Sequence, residues 1–363
     1  MLFRKKVAHK ESKTSQEPTK QIVSEVDQIL ATLTDPIIIL DQARIVRHAN
    51  QPALDLFGKA IVGRNLVQCI RQPHVIDAVE LVFKNKTPWE GEVNFAGSVQ
   101  RHLSLNISIK GEDQGCVILV RDTTTIKRTE EMRSDFVANV SHELRSPLSA
   151  ISGFIETLQG PAKNDEEARV RFLNIMIQEA NRMARLIDDL LSLSRVEIQE
   201  HVVPDDDVNV CLLLKNIVDI LSVKSAKENM ALKLKCDFDN LVIHGDGDQI
   251  TQVFQNLVDN AIKYGKPGTP VEISCTEIDQ MPNSKQRGVV VEVRDFGEGI
   301  AAEHLPRLTE RFYRIDKARS RSLGGTGLGL AIAKHIVQRH RGRLQIESKV
   351  GFGTVFSVKL PIK

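Results

Sequence analysis

Two apolar seams of the same period constrain this chain more than any other feature. Val137, Val140, Leu144, Pro147, Ile151, Phe154 and Leu158 follow one another at alternating steps of three and four, and Leu173, Met176, Ala180, Met183, Ile187 and Leu190 do the same. A seam repeating every 3.5 residues marks a helix whose stripe packs against a stripe of equal period. The internal turn signals are confined to Gln159-Gly160-Pro161-Ala162-Lys163-Asn164-Asp165, so the two helices form a hairpin over 125–200. A lone hairpin can hardly bury both stripes, and a dimeric antiparallel four-helix bundle is the expected solution. Pro147, in a helix interior, predicts a bend.

The flanks have other periods. From 22 to 124, Ile37 to Leu40, the alternating Leu103, Leu105, Ile107 and Ile109, and Cys116 to Val120 read as strands, with helices near Pro52 to Phe57 and Val75 to Phe83; the prediction is a small α+β domain of about five strands. From 201 to 363, helices over Cys211 to Glu228, Asp248 to Tyr264 and Thr326 to Arg341 alternate with strands near Leu232, Val242, Val271, Val289, Leu344 and Val355, an α/β domain with Gly342 as its last helix stop. Residues 1–21 are a polar, Lys-rich tail without an apolar h-region. Purely apolar runs such as Ile37 to Leu40 and Val117 to Val120 reach four residues, so no membrane anchor and a cytoplasmic location are expected. Lys plus Arg (49) nearly balance Asp plus Glu (47), which argues against direct nucleic-acid binding. The five cysteines, Cys69, Cys116, Cys211, Cys236 and Cys275, have no zinc spacing and read as reduced core residues.

Four short segments carry chemistry. His142, in His142-Glu143-Leu144-Arg145-Ser146-Pro147, lies two positions, about 200°, from seam residues Val140 and Leu144, so its imidazole faces solvent; the neutral ring offers a nucleophilic nitrogen, and Glu143 could fix its tautomer. Asn256 and Asn260 are four apart on one helix face, where amide oxygens can help hold Mg²⁺ with water and phosphate completing the shell. Asp295-Phe296-Gly297-Glu298-Gly299 follows the apolar strand Val289 to Val293; an acid at a strand end can accept from an amine, and glycines admit a ligand to the backbone. Gly324-Gly325-Thr326-Gly327-Leu328-Gly329-Leu330 runs into a helix and suits phosphate, although it lacks the order of a P-loop. Between these last two, Arg311-Phe312-Tyr313-Arg314 and the basic run to Arg321 read as a mobile lid. Taken singly, each has an ordinary reading: an incidental histidine, a solvated polar face, an Asp/Gly turn, a surface loop.

In this order the segments resemble the histidine protein kinases of two-component systems over about 125–363. His142 with Leu144-Arg145-Ser146-Pro147 is similar to the phospho-acceptor box, and Asn256 to Tyr264, Asp295 to Gly299, Phe312 and Gly325 to Gly329 are similar to the nucleotide-binding boxes. The first region, with Asn50 and Ala53 before Phe57-Gly58, Gly63, and Asp122-Thr123-Thr124 closing its last strand, resembles a PAS sensor domain. The resemblance implies a multidomain α+β chain: a PAS-like α+β sensor, a dimeric antiparallel four-helix bundle, and an α/β sandwich that binds ATP and Mg²⁺. It further implies Asp295 on the adenine amine, Asn260 on the metal, and Asn256, Lys263 and Tyr264 supporting the phosphates and adenine. Gly297, Gly299, Phe312, Gly325, Gly327 and Gly329 would line the nucleotide. The γ-phosphoryl group would pass to His142 with Glu143 orienting it, and then to an aspartate of a separate response regulator.

One departure concerns Ser146, where the family usually has threonine: serine keeps the hydroxyl that orients water in regulator dephosphorylation but loses the methyl that limits its rotamers, which puts phosphatase strength in doubt. The ATP-hydrolysing relatives of the same nucleotide fold carry a glutamate where Asn256 stands, so transfer is favoured over hydrolysis; a degenerate, non-catalytic scaffold is the other rival. Arg71-Gln72-Pro73 and Ser192-Leu193-Ser194-Arg195-Val196-Glu197 resemble phosphate-regulon sensor kinases, which commonly begin with membrane helices. The chain is therefore expected to be a soluble relative or to meet the membrane through a sensory partner, and His74 reads as a surface residue rather than a haem ligand.

Overall fold

The computed structural model describes residues 30–95, 100–111, 115–238, 241–282, 286–316 and 324–362. The predicted polar tail and the basic run of the predicted lid, from 317 on, lie outside these residues. Two compact units meet in the chain between Asp135 and Phe136.

In the first unit the predicted strands and helices all form. Strands β1 (Ile37–Leu40) and β2 (Val46–Ala49) lead into helices α1 (Gln51–Phe57), α2 (Leu66–Cys69) and α3 (Pro73–Asn85), followed by β3 (Trp89–Phe95), β4 (Arg101–Lys110) and β5 (Gly115–Asp122). The sheet order is β2-β1-β5-β4-β3, antiparallel throughout. The alternation read in β4 buries Leu103, Leu105 and Ile107 in one core with Val75, Val79 and Val82 of α3. Asn50 is buried because its Oδ1 accepts from the backbone N–H of Ile37 (2.8 Å) and of Ala53 (3.2 Å), capping α1 and fastening it to the first strand.

Helix α4 (Thr124–Gln159) crosses from the first unit into the second and runs without interruption through Pro147, whose ring is buried. Helix α5 (Glu166–Ile198) returns after the predicted turn, with Asp165 accepting from the Ala168 N–H at 2.9 Å as its N-cap. Phe154 and Phe172 stack with ring centroids 4.9 Å apart and tie the arms together. The seams differ from the reading in one respect. Leu144 and Leu190 pack against the core of the following domain, together with the buried Leu186, Leu193 and Val196, whereas Val137, Leu173 and Ile187 are exposed. Helix α5 thus carries two apolar faces, and the second serves the same chain.

The remainder comprises β6 (Asp207–Asn209), α6 (Val210–Lys227), β7 (Ala231–Cys236), β8 (Val242–His244), α7 (Gly247–Tyr264), β9 (Pro270–Ile278), β10 (Gly288–Arg294), α8 (Gly329–Arg339), β11 (Arg343–Lys349) and β12 (Gly353–Pro361). Its main sheet has the order β11-β12-β10-β9-β7, with β7 parallel to β9 and the other pairs antiparallel. Leu214 and Ile217 of α6, Phe254, Leu257 and Ala261 of α7 and Ile332 and Ile336 of α8 share one core with Val271, Val291, Val293 and Val358 of the sheet, the α/β sandwich expected. The cysteines depart from expectation: Cys211 and Cys236 form a disulfide, while Cys69, Cys116 and Cys275 are free. A separation of 25 positions hides a contact that the fold of α6 onto β7 creates.

Candidate active site

His142 is exposed on α4, as its angular distance from the seam predicts, and Ser146 one turn on is exposed as well. Glu143 points the other way and is half-buried: its Oε2 accepts from Arg182 of α5 at 2.7 Å and from Arg314 at 3.3 Å. The Arg314 guanidinium also donates to the Thr326 carbonyl at 2.6 Å. The Thr326 hydroxyl in turn donates to Asp189 of α5 at 2.6 Å. Burial pushes the Asp189 carboxyl above its ordinary range, against the opposing pull of the Thr326 hydrogen bond. The acid beside His142 and the glycine-rich loop are therefore joined through one arginine.

The segment read as a mobile lid is, in its described part, pinned to the helical hairpin. Arg311 pairs with Glu197 and lies over the Phe136 ring, 5.2 Å from its centroid. Phe312 meets Phe136 with centroids 5.8 Å apart, and its backbone N–H donates to the Gly327 carbonyl at 2.9 Å. Gly327 has φ +76°, and a Cβ there would press on the Phe312 backbone, so glycine is what lets loop and segment close on each other.

Helix α7 is capped by Asp246, whose Oδ1 accepts from the N–H groups of Asp248 and Gln249 at 3.1 Å. Its apolar face is buried, leaving Asn256 and Asn260 half-buried on one side. Asn256 donates to the Gly329 carbonyl at 3.3 Å, which brings the first turn of α8 against it, with Gly325 just ahead in the loop. Lys263 is held by Asp259 at 2.7 Å, and Asp259 also pairs with Lys224 of α6. Burial pushes Asp259 up, yet the two lysines outweigh it and hold the carboxyl below its usual range. Tyr264 closes the helix exposed.

Asp295 follows β10, as read, and is buried to 4% exposure. Burial raises its pKa while the backbone N–H groups of Gly297 and Thr354 lower it. Among the described residues both of those hydrogen bonds, 2.9 and 3.3 Å, fall on Oδ1, which leaves Oδ2 for a ligand. A Cβ at Gly297 would collide with the Tyr264 carbonyl oxygen, so this glycine lies directly on the end of α7, whereas Gly299, at φ +71°, lies on the Lys349 carbonyl at the end of β11.

The structure thus brings Asn256, Gly325, Gly327, Gly329 and Phe312 together, with Glu143 joined to them through Arg314, and places Gly297 against Tyr264. Reading by motif missed Arg182, Asp189, Arg314 as a ligand of Glu143, and the Thr326 hydroxyl. Arg314 stood in a recognised segment, but its partner lies 171 residues away and leaves no local signal.

The family models agree with this geometry in order. "PAS domain" matches residues 26–87, "His Kinase A (phospho-acceptor) domain" 132–199, and "Histidine kinase-, DNA gyrase B-, and HSP90-like ATPase" 245–363. The chain is 35% identical over 93% of its length to the phosphate regulon sensor protein PhoR of Pseudomonas aeruginosa, covering 74% of that protein. It is 32% identical over 96% of its length to the sensor protein kinase WalK of Staphylococcus saprophyticus, of which it spans 57%. Among solved structures, the histidine kinase ThkA in complex with response regulator protein TrrA aligns with 93% of this chain and 98% of its own, at 25% identity and a TM-score of 0.51. The acceptor-box histidine, the ATPase sandwich and the relatives converge: this chain belongs to the sensor histidine kinases of two-component systems, ATP-dependent protein-histidine kinases.

Proposed function

We propose that the chain autophosphorylates His142 from Mg-ATP and passes the phosphoryl group to an aspartate of a separate response regulator. The observation that carries this reading is the link Glu143–Arg314–Thr326, which sets the acid beside an exposed histidine next to a glycine-rich loop at a helix N-terminus. Mg-ATP supplies the electrophilic γ-phosphoryl group and the charge neutralisation. The donor set fits it: Asp295 Oδ2 would accept from the adenine amine, the N–H groups of Gly325, Gly327 and Gly329 would donate to phosphate oxygens at the start of α8, and Asn260 would supply an amide oxygen to the metal, with Asn256 beside it. Lys263 and Tyr264 border the nucleotide from the end of α7, and Phe312, Gly297 and Gly299 shape its walls. The neutral His142 ring nitrogen would attack the γ-phosphorus as its bond to the β-phosphate oxygen breaks and ADP leaves; Glu143 would orient the imidazole once Arg182 and Arg314 let it go, because a carboxylate held by two guanidinium groups is a poor acceptor.

In this reading 22–124 is the sensor domain, 125–200 the dimerisation and acceptor domain, and 201–363 the catalytic domain. The apolar residues left exposed on α5, Leu173, Ile177 and Ile187 among them, are covered by a second copy. No helix among the described residues is long and apolar enough to cross a membrane, and we place the domains on the cytoplasmic side, where ATP is supplied. The phosphate-regulon relative supports phosphate-starvation signalling as the regulon served. A chase experiment tests the reading. Chain labelled with radioactive ATP and Mg²⁺ is expected to pass its label to a purified phosphate-regulon receiver protein within minutes, and EDTA or Asn260→Ala to prevent the labelling. Label that stays on the chain argues against that regulon, and labelling untouched by EDTA argues against the metal.

A further inference from the structure

Away from the nucleotide surfaces, three sulfurs converge inside the catalytic domain. Those of Cys211, Cys236 and Cys275 lie within 4.8 Å of one another. The topology produces the cluster. Parallel pairing sets Cys236 of β7 directly beside Cys275 of β9, so both side chains leave the sheet on one face. The first turn of α6, seated by the buried Val210, Leu213 and Leu214, brings Cys211 onto that face. Cys211 and Cys236 are bonded with Cα atoms 6.3 Å apart, within the roughly 4.4–6.8 Å span of ordinary disulfides. The three differ in access: Cys211 and Cys275 are buried, whereas Cys236 is half-buried at the end of β7, an edge strand.

We propose that this cluster is a reversible thiol-oxidation site that takes hydroperoxides, entered at Cys236 and closed by Cys211. The Cys236 thiolate attacks a peroxide oxygen; the O–O bond breaks, the alcohol or water leaves, and Cys236 becomes a sulfenic acid. The Cys211 sulfur, giving up its proton, attacks the Cys236 sulfur and the S–O bond breaks, releasing water. Two thiols lose two electrons in all and the peroxide gains them. Cys275, pushed up to about 11 by burial with Asp237 and Glu277 adding to it, stays protonated at neutral pH and does not compete as a nucleophile. An ATP-using chain works among reduced small-molecule thiols, two of which reopen the pair by exchange and leave joined as their own disulfide, so it stands open at rest and closes under oxidant; that resting state rests on the kinase reading, whereas the chemistry of the cluster does not. Closure ties α6, which pairs with α7 through Lys224 and Asp259, to β7.

The test counts thiols on the full chain. The reduced protein is exposed to hydrogen peroxide, denatured, alkylated with N-ethylmaleimide and weighed. Of the five cysteines, two are expected to escape alkylation, with peptide mapping linking Cys211 to Cys236. Cys236→Ser is expected to slow the loss of thiols at least tenfold, and Cys275→Ser to leave the linked pair in place. The closed form should melt about 10 °C higher than the reduced form, since the link constrains the unfolded chain. Five alkylated thiols after oxidation, loss at Cys69 or Cys116 instead, or an unchanged rate in Cys236→Ser would overturn the proposal. So would stoichiometric zinc retained by the native chain and lost in Cys211→Ser. The mapping is read on the native chain, so it stands whether or not a variant folds, and it needs no phosphoryl transfer, so failure of the kinase reading leaves it intact.

Discussion

At Glu143 one carboxylate is shared between Arg182 and Arg314, and the neighbouring His142 is left in solvent. The second fact was legible from spacing, because a residue two steps from each seam position must face away from it. The first was not: both arginines come from far along the chain, and nothing local selects them. His340 makes a similar point and carries a prediction. Its Nδ1 donates to the Ile336 carbonyl at 2.7 Å and its Nε2 accepts from the Asp246 N–H at 2.9 Å, a pattern only the neutral ring satisfies. Burial pushes its pKa down, the Ile336 bond partly offsets that, Arg339 lowers it further and Asp246 raises it. The unfolded chain, with a histidine pKa of about 6.5, therefore binds more protons than the folded one in the window below. Stability is full above that value and lost as pH falls through the folded pKa; the half-buried His335, also pushed down by burial, adds with the same sign. The thermal midpoint of the chain should drop by several degrees between pH 7 and pH 5, and less steeply in a folded His340→Gln variant. A midpoint that ignores pH over this range would refute the assignment.

At the scale of the element, the strands and helices with strong periods are legible to within a few residues: β4 alternates cleanly, and α7 places every buried residue on one side; β2, β3, β6 and α2, which are short or half-exposed, carry no such signal and are not located by the sequence reading. Helix α5 shows where a periodic reading stops. Leu186, Leu193 and Val196 form a second buried row, and two overlapping faces on one helix look like one broad stripe, so the period alone puts Leu190 in the dimer seam although it packs within the chain. The last helix shows the limit for caps. Gly342 does belong to the stop, since its N–H donates to the Val337 carbonyl at 2.8 Å, but the left-handed residue is Arg341, at φ 54°; glycine is needed at 342 because a Cβ there would collide with the Lys359 carbonyl. The exposed row on α5 carries its own prediction. Ile177→Glu would bury an unpaired charge in a dimer seam, at a cost of about 3–5 kcal/mol, so light scattering at micromolar concentration should show the native chain as a dimer and this variant as a monomer. A monomeric native chain would remove the bundle.

At the scale of the second unit, the helical hairpin and the catalytic domain are held by polar contacts as well as by the shared core. Thr326 reaches Asp189, Arg311 reaches Glu197, Ser192 reaches Gln252 at 2.9 Å, and the buried Arg339 donates to the carbonyls of Gln199 and Val202 at 3.2 and 3.0 Å. In the function proposed, acceptor and nucleotide lie on different domains and such contacts have to break to bring them together, so they are expected to be individually modest. Asp189→Ala removes a hydrogen bond to a charged group, worth about 1.5–3 kcal/mol, and should raise the open population roughly tenfold or more. Limited proteolysis of the connection at 199–205 reads that population: faster cleavage is the expected result, and an unchanged rate would mean that Thr326 and Asp189 do not fasten the domains. None of these contacts was visible beforehand, since each joins residues more than fifty positions apart.

The claim at the centre is that the exposed imidazole of His142 receives the phosphoryl group. Labelling with radioactive Mg-ATP measures it directly in the native chain and in His142→Ala, alongside binding of a fluorescent ATP analogue. The native chain should acquire acid-labile label, and His142→Ala should acquire none while binding the analogue as the native chain does. Label that persists in His142→Ala, or sustained turnover of many ATP per chain that ignores the loss of His142, would contradict the account and favour hydrolysis over transfer.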